Sequence, residues 1–142
     1  MEPPDPVAFV FGATGYVGQA VVEVAARTAD VARVIAHARP DSPRADELTA
    51  LASDRIMVDR TPLEVGSLSA TLTASNPSHV FLCHGTTAHR ARQEGIPAPY
   101  EAVDLGLTQL ILEAVDAMAT PPRIVYLSAI GAWPRARGAY LS

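Results

Sequence analysis

The run Val7 to Gly18, VAFVFGATGYVG, joins five apolar, strand-favouring residues to glycines at 12, 15 and 18, and a helix-compatible segment follows. A strand that breaks into a glycine turn and re-forms as a helix gathers unpaired N–H groups and the positive end of the helix dipole at one point. That point suits a phosphate anion. Gly12 permits a sharp turn out of the strand, Gly15 lets backbone approach a diphosphate, and Gly18 lets the helix pack closely on the sheet. Thr14, Tyr16 and Val17 stand between them, so Gly12, Thr14, Gly15, Tyr16, Val17 and Gly18 form the candidate dinucleotide contacts. The spacing is G-x-x-G-x-x-G and departs from the commoner G-x-G-x-x-G.

The chain is long enough for one packed domain. Its 142 residues are 49% apolar and 18% charged, a balance that buries roughly two-thirds of the unfolded surface and argues against disorder. The formal charge of −4 is spread along the sequence. No basic stripe points to nucleic acid and no polybasic run to anionic lipid. Apolar runs are interrupted before a membrane span is complete, and the start MEPPDP has no apolar signal core, so a cytoplasmic setting is expected. Cys83 is the single cysteine; it excludes an intramolecular disulfide and reads as a small buried hydrophobe. His79, His84 and His89 recur every five residues, a spacing that shares no helix face, and no metal site is expected.

Strand and helix patterns alternate. Strands are expected at Val7–Phe11, Arg33–Ala38, Arg55–Val58, His79–Cys83 and Arg123–Leu127. Helices are expected at Val17–Arg27, with Val17, Val21, Val24 and Ala25 on its apolar face; after an Asp41 or Ser42 cap; at Gly66–Ser75; and at about Tyr100–Ala119. The fourth strand is nearly continuously apolar, as strands buried on both faces are. Five strands alternating with four helices imply an α/β doubly wound parallel sheet of Rossmann type in the order 3-2-1-4-5, with ligands collecting beyond the carboxyl ends of the strands.

Those strand ends carry the remaining candidates. After the second strand no carboxylate stands where a ribose would be held; Arg39 stands there instead. Its guanidinium fork suits a 2′-phosphate, which favours NADP over NAD, although a solvated loop arginine fits the same position. Asp59 suits the adenine amino group or, equally, the capping of the Pro62 turn. Gly85, Thr86 and Thr87 offer close-approach backbone and two hydroxyls beside the diphosphate and ribose, or a simple turn.

The ordered set GATGYVG, HARP, VD, HGTT, VDLGLT and VYLSAIGA resembles the atypical short-chain dehydrogenase/reductase superfamily over essentially the whole chain. Among its members the sequence looks most like NAD(P)H-binding proteins of the TIP30-like and NmrA-like groups. The resemblance implies hydride transfer between a nicotinamide dinucleotide and a carbonyl or alcohol. It also implies that Tyr140 is the general acid or base and that Ser128 hydrogen-bonds the developing oxyanion. Two positions depart from the pattern. The basic residue that relatives carry four residues after the tyrosine would lie beyond Ser142, and Asp104 replaces a common asparagine. The expectation is therefore the cofactor-binding part of a reductase, C-terminally truncated, with the fifth strand as an exposed edge open to self-association or a partner protein. A non-catalytic NAD(P)H sensor and an inactive fragment are the alternatives.

Overall fold

The computed structural model describes residues 5–85, 95 and 105–127. Strand β1 (Val7–Phe11) leads through the glycine turn into helix α1 (Tyr16–Arg27), then β2 (Arg33–His37), α2 (Ala45–Thr49), β3 (Ile56–Asp59), α3 (Val65–Ser75), β4 (His79–Leu82), α4 (Leu107–Asp116) and β5 (Arg123–Tyr126). All four strand pairings are parallel, and the sheet order is β3-β2-β1-β4-β5. The order reverses between β1 and β4. In sheets of this kind such a reversal marks the crevice, at the carboxyl ends of the two strands, where ligands bind.

Burial follows the period-2 alternation of strand side chains. Phe9, Phe11, Ile35, Val80 and Leu82 face Leu68 and Leu72 of α3 and Ile111, Ala114 and Val115 of α4. On the opposite face, Ala8, Val10, Val34, Ala36 and Ile56 meet Val22 and Ala25 of α1 and Ala45 and Leu48 of α2. β1 is buried along its whole length because both layers converge on it.

Three expectations are corrected. The buried face of α1 is Gly18, Val22 and Ala25; Val17 and Val24 are 40% and 58% exposed. They border, with Val21, His79 and Phe81, a groove of about 470 Å³ beside β4. The helix rests on its glycine side because that side approaches the turn most closely. Second, β4 is buried only through Val80 and Leu82, while His79 and Phe81 are half-covered. Third, α2 begins at Ala45 with no side-chain cap; Ser42 Oγ instead accepts the Arg44 N–H at 3.4 Å within the preceding loop.

Boundaries shift by one to three residues elsewhere. α3 closes on Asn76 in the left-handed region (φ 45°), whose N–H donates to Leu72 at 2.8 Å. α4 tightens at its end, where the Met118 N–H donates to Val115 O at 2.9 Å. The expected start of this helix at Tyr100 lies outside the described residues. β5 pairs with β4 alone among the described residues, and Val125, Tyr126 and Leu127 are 42%, 52% and 47% exposed.

Candidate dinucleotide site

Gly12 leaves β1 at φ +73°, a conformation that L side chains rarely adopt. A Cβ at this position would stand 2.5 Å from both the Cys83 carbonyl carbon and the His84 nitrogen. The glycine turn is thus seated directly against the chain leaving β4, at the crevice where the strand order reverses. The Gly15 N–H closes the turn onto Gly12 O at 3.1 Å, and the Gln19 N–H makes the first helical bond to Gly15 O at 2.9 Å.

Helix α1 begins at Tyr16 with Gly15 as its N-cap and no side-chain cap. The N–H groups of Tyr16, Val17 and Gly18 occupy the first turn, where a helix supplies no acceptor of its own. Thr14 and Ala13 are buried beneath the turn, whereas the Tyr16 ring is 93% exposed, so any contact by Tyr16 is through its backbone. Gly15 is open: a Cβ there would have only Gly12 O near it, at 3.4 Å. Uncapped donors, the helix dipole and a side-chain-free approach fit a diphosphate.

Arg39 follows β2 at the same end of the sheet. The arginine–carboxylate pairs nearby take Arg44 with Glu47 at 2.9 Å and Arg60 with Asp46 at 3.7 Å, and they leave Arg39 out. Asp59, directly across the register from His37, caps the turn that follows it. Its Oδ2 accepts the Thr61 N–H at 3.1 Å and its Oδ1 accepts the Thr61 hydroxyl at 2.9 Å. The carboxyl is still partly open, with 22% of the side chain exposed.

Gly85 is exposed just past β4. Thr86, Thr87, Ser128 and Tyr140 lie outside the described residues. Cys83 is half-buried, packs against the core layer under α1, and burial pushes its thiol pKa upward, as for a small apolar residue.

Sequence reasoning gives His37 only the end of a strand and assigns Thr61 no part in this site. His37 ends β2 buried, and its Nε2 meets Thr61 O at 2.8 Å. The spacing Asp59-x-Thr61 signals a capped turn. No local pattern signals a partner 24 residues from His37.

The family model described as "NAD dependent epimerase/dehydratase family" matches residues 8–138. A comparison with curated protein sequences finds no match. Among solved structures, the chain resembles UDP-glucuronic acid 4-epimerase from Bacillus cereus, solved with UDP-glucuronic acid and NAD (TM-score 0.70, 17% identity, 93% of this chain and 43% of that one). An oxidoreductase of the short-chain dehydrogenase/reductase family from Burkholderia thailandensis gives TM-score 0.70 at 22% identity, over 97% of this chain and 57% of that one. A short-chain dehydrogenase/reductase from Veillonella parvula gives 0.58 at 16%, over 91% and 50%. At these identities the structural likeness concerns the fold, and the chain spans about half the length of these proteins. The family match covers the strand ends and the glycine turn together: the chain belongs to the NAD dependent epimerase/dehydratase family.

Proposed function

We propose that this domain binds NADP(H) in preference to NAD(H) and serves hydride transfer to or from a carbonyl or alcohol. The observation that carries the reading is the uncapped N-terminus of α1, set by Gly12 against the exit of β4. The N–H groups of Tyr16, Val17 and Gly18 hold the diphosphate. Arg39 pairs with the 2′-phosphate, Asp59 accepts from the adenine amino group, and Gly85, Thr86 and Thr87 line the ribose side. The nicotinamide, when bound, supplies or accepts the hydride. By resemblance, Tyr140 moves the proton at the reacting oxygen and Ser128 hydrogen-bonds that oxygen.

The test is titration of NADPH and NADH into the chain and its Gly15→Val variant. Both nucleotides bind the parent, and neither binds the variant, because the branched side chain fills the diphosphate approach. A variant that folds and still binds both contradicts the assignment.

A second reading is supported by the exposure of Val125, Tyr126 and Leu127 on β5: a dinucleotide-responsive module whose contacts, with another copy or a partner protein, run along this strand. Sedimentation with and without NADPH separates the two readings. In the second, nucleotide shifts the association state, and Ser128→Ala with Tyr140→Phe leaves that shift intact.

A further inference from the structure

His37 is 3% exposed and lies on the sheet face that carries Phe9 and Phe11, with ring centroids 6.3 and 5.1 Å from theirs. A buried imidazole needs its N–H groups satisfied. Its Nε2 is 2.8 Å from the backbone oxygen of Thr61; a carbonyl can only accept, so Nε2 carries the proton. Thr61 is held from two further directions, by both Asp59 oxygens and by the Thr71 hydroxyl of α3 at 2.7 Å. The turn after β3 is therefore tied to β2, β3 and α3 together.

This turn reaches the Arg39 segment as well. The Ala38 N–H donates to Asp59 O at 2.9 Å, between His37 and Arg39 in sequence. One hydrogen-bonded unit thus joins Ala38, the residue before Arg39, to Asp59 and, through Thr61, to the His37 ring.

We infer that His37 is a positioning residue for the adenosine half of the dinucleotide: its Nε2–H on the Thr61 carbonyl fixes the turn that orients Asp59 alongside Arg39. The inference rests on the dinucleotide reading above. Around the ring, β1 offers the apolar Phe9 and Phe11, the turn after β3 offers the Thr61 carbonyl, and the charged atom that faces it among the described residues is Asp59 Oδ2, 4.0 Å from Nε2. Burial holds the His37 pKa below its ordinary value of 6.5, with the Thr61 and Asp59 oxygens pulling the other way. The ring is accordingly neutral at pH 7 and works as a fixed donor.

The experiment compares the parent chain with His37→Leu, which removes the donor, and His37→Gln, which keeps an N–H at similar reach. Calorimetry uses 2′,5′-ADP and nicotinamide mononucleotide as separate probes of the two halves, and amide exchange follows Thr61, Leu63 and Glu64 in the free protein. His37→Leu is expected to weaken 2′,5′-ADP about tenfold, the effect of having to order the released turn on binding, to leave nicotinamide mononucleotide unchanged, and to speed exchange at Thr61. His37→Gln is expected to restore both readouts most of the way. The inference is overturned by a folded His37→Leu chain that binds 2′,5′-ADP like the parent, by equal losses for both halves, or by a Gln variant as defective as Leu. Should the parent bind neither probe, the dinucleotide reading fails and the inference falls with it, whatever the exchange at Thr61; a parent that binds 2′,5′-ADP while His37→Leu binds it equally well overturns the inference alone. Should His37→Leu fail to fold, imidazole nitrogen shifts of the parent decide: an Nε2–H tautomer supports the inference and an Nδ1–H tautomer overturns it.

Discussion

A Cβ on Gly18 would stand 2.0 Å from Gly12 O and 2.7 Å from the Gly12 carbonyl carbon. The first turn of α1 therefore rests on the peptide that carries the chain out of β1, and the two glycines are one steric unit. Neither obstacle is a flexible side-chain end, so backbone must move to admit a methyl group. Gly18→Ala is expected to cost about 1–3 kcal/mol or more, the range for overpacking a close contact. Urea unfolding monitored by circular dichroism measures it, and an unchanged midpoint would contradict the packing described.

Gly15→Ala should behave in the opposite way. The new Cβ would sit at 3.4 Å from Gly12 O, an ordinary contact, and Gly15 already has φ −79°. Stability is expected to change by less than about 1 kcal/mol, while affinity for NADPH falls at least about tenfold because the methyl group occupies the diphosphate approach. Parallel melts and titrations check this pair of outcomes. A large stability loss with intact binding reverses the roles assigned to the two glycines.

Arg39→Ala separates the two nucleotides. A charge-assisted hydrogen bond from guanidinium to phosphate contributes about 1.5–3 kcal/mol, so NADPH should weaken roughly tenfold or more while NADH changes by less than about threefold. Competition titrations read the ratio directly, and equal losses for the two nucleotides defeat the 2′-phosphate assignment.

His37 gives a pH signature. Its folded-state pKa is lowered from 6.5, so the unfolded chain takes up the proton first as pH falls. The stabilisation associated with the neutral ring is fully present above about pH 6.5 and is lost as pH drops through 6.5 toward the folded-state value. As pH falls below 6.5, the parent should lose stability more steeply than His37→Gln, by up to one proton in the linkage slope. Denaturant midpoints across that interval measure the difference, and superimposable slopes contradict it.

The sheet order and the glycine turn were legible because they rest on local chemistry. Five uninterrupted apolar residues before Gly12 demand a strand buried on both faces, and Asn76-Pro77 stops a helix wherever it occurs. Helix faces were less legible. Val17, Val21 and Val24 have the spacing of a core stripe, yet Gly18 brings the neighbouring face onto the turn and leaves Val17 and Val24 exposed. Hydropathy cannot register a contact made by the absence of a side chain. The His37–Thr61 bond was invisible for a different reason: it depends on the register that sets β2 beside β3, a long-range fact with no trace in either segment. Asp59 was readable both as a turn cap and as an adenine contact; its bonds to Thr61 establish the first.

Calorimetric titration of NADPH and NADH into the folded 142-residue chain tests the central claim most directly. A saturable single-site heat, stronger in affinity for NADPH than for NADH, is the predicted result. A chain that melts cooperatively yet gives no heat with either nucleotide contradicts the diphosphate site at Gly12, Gly15 and Gly18.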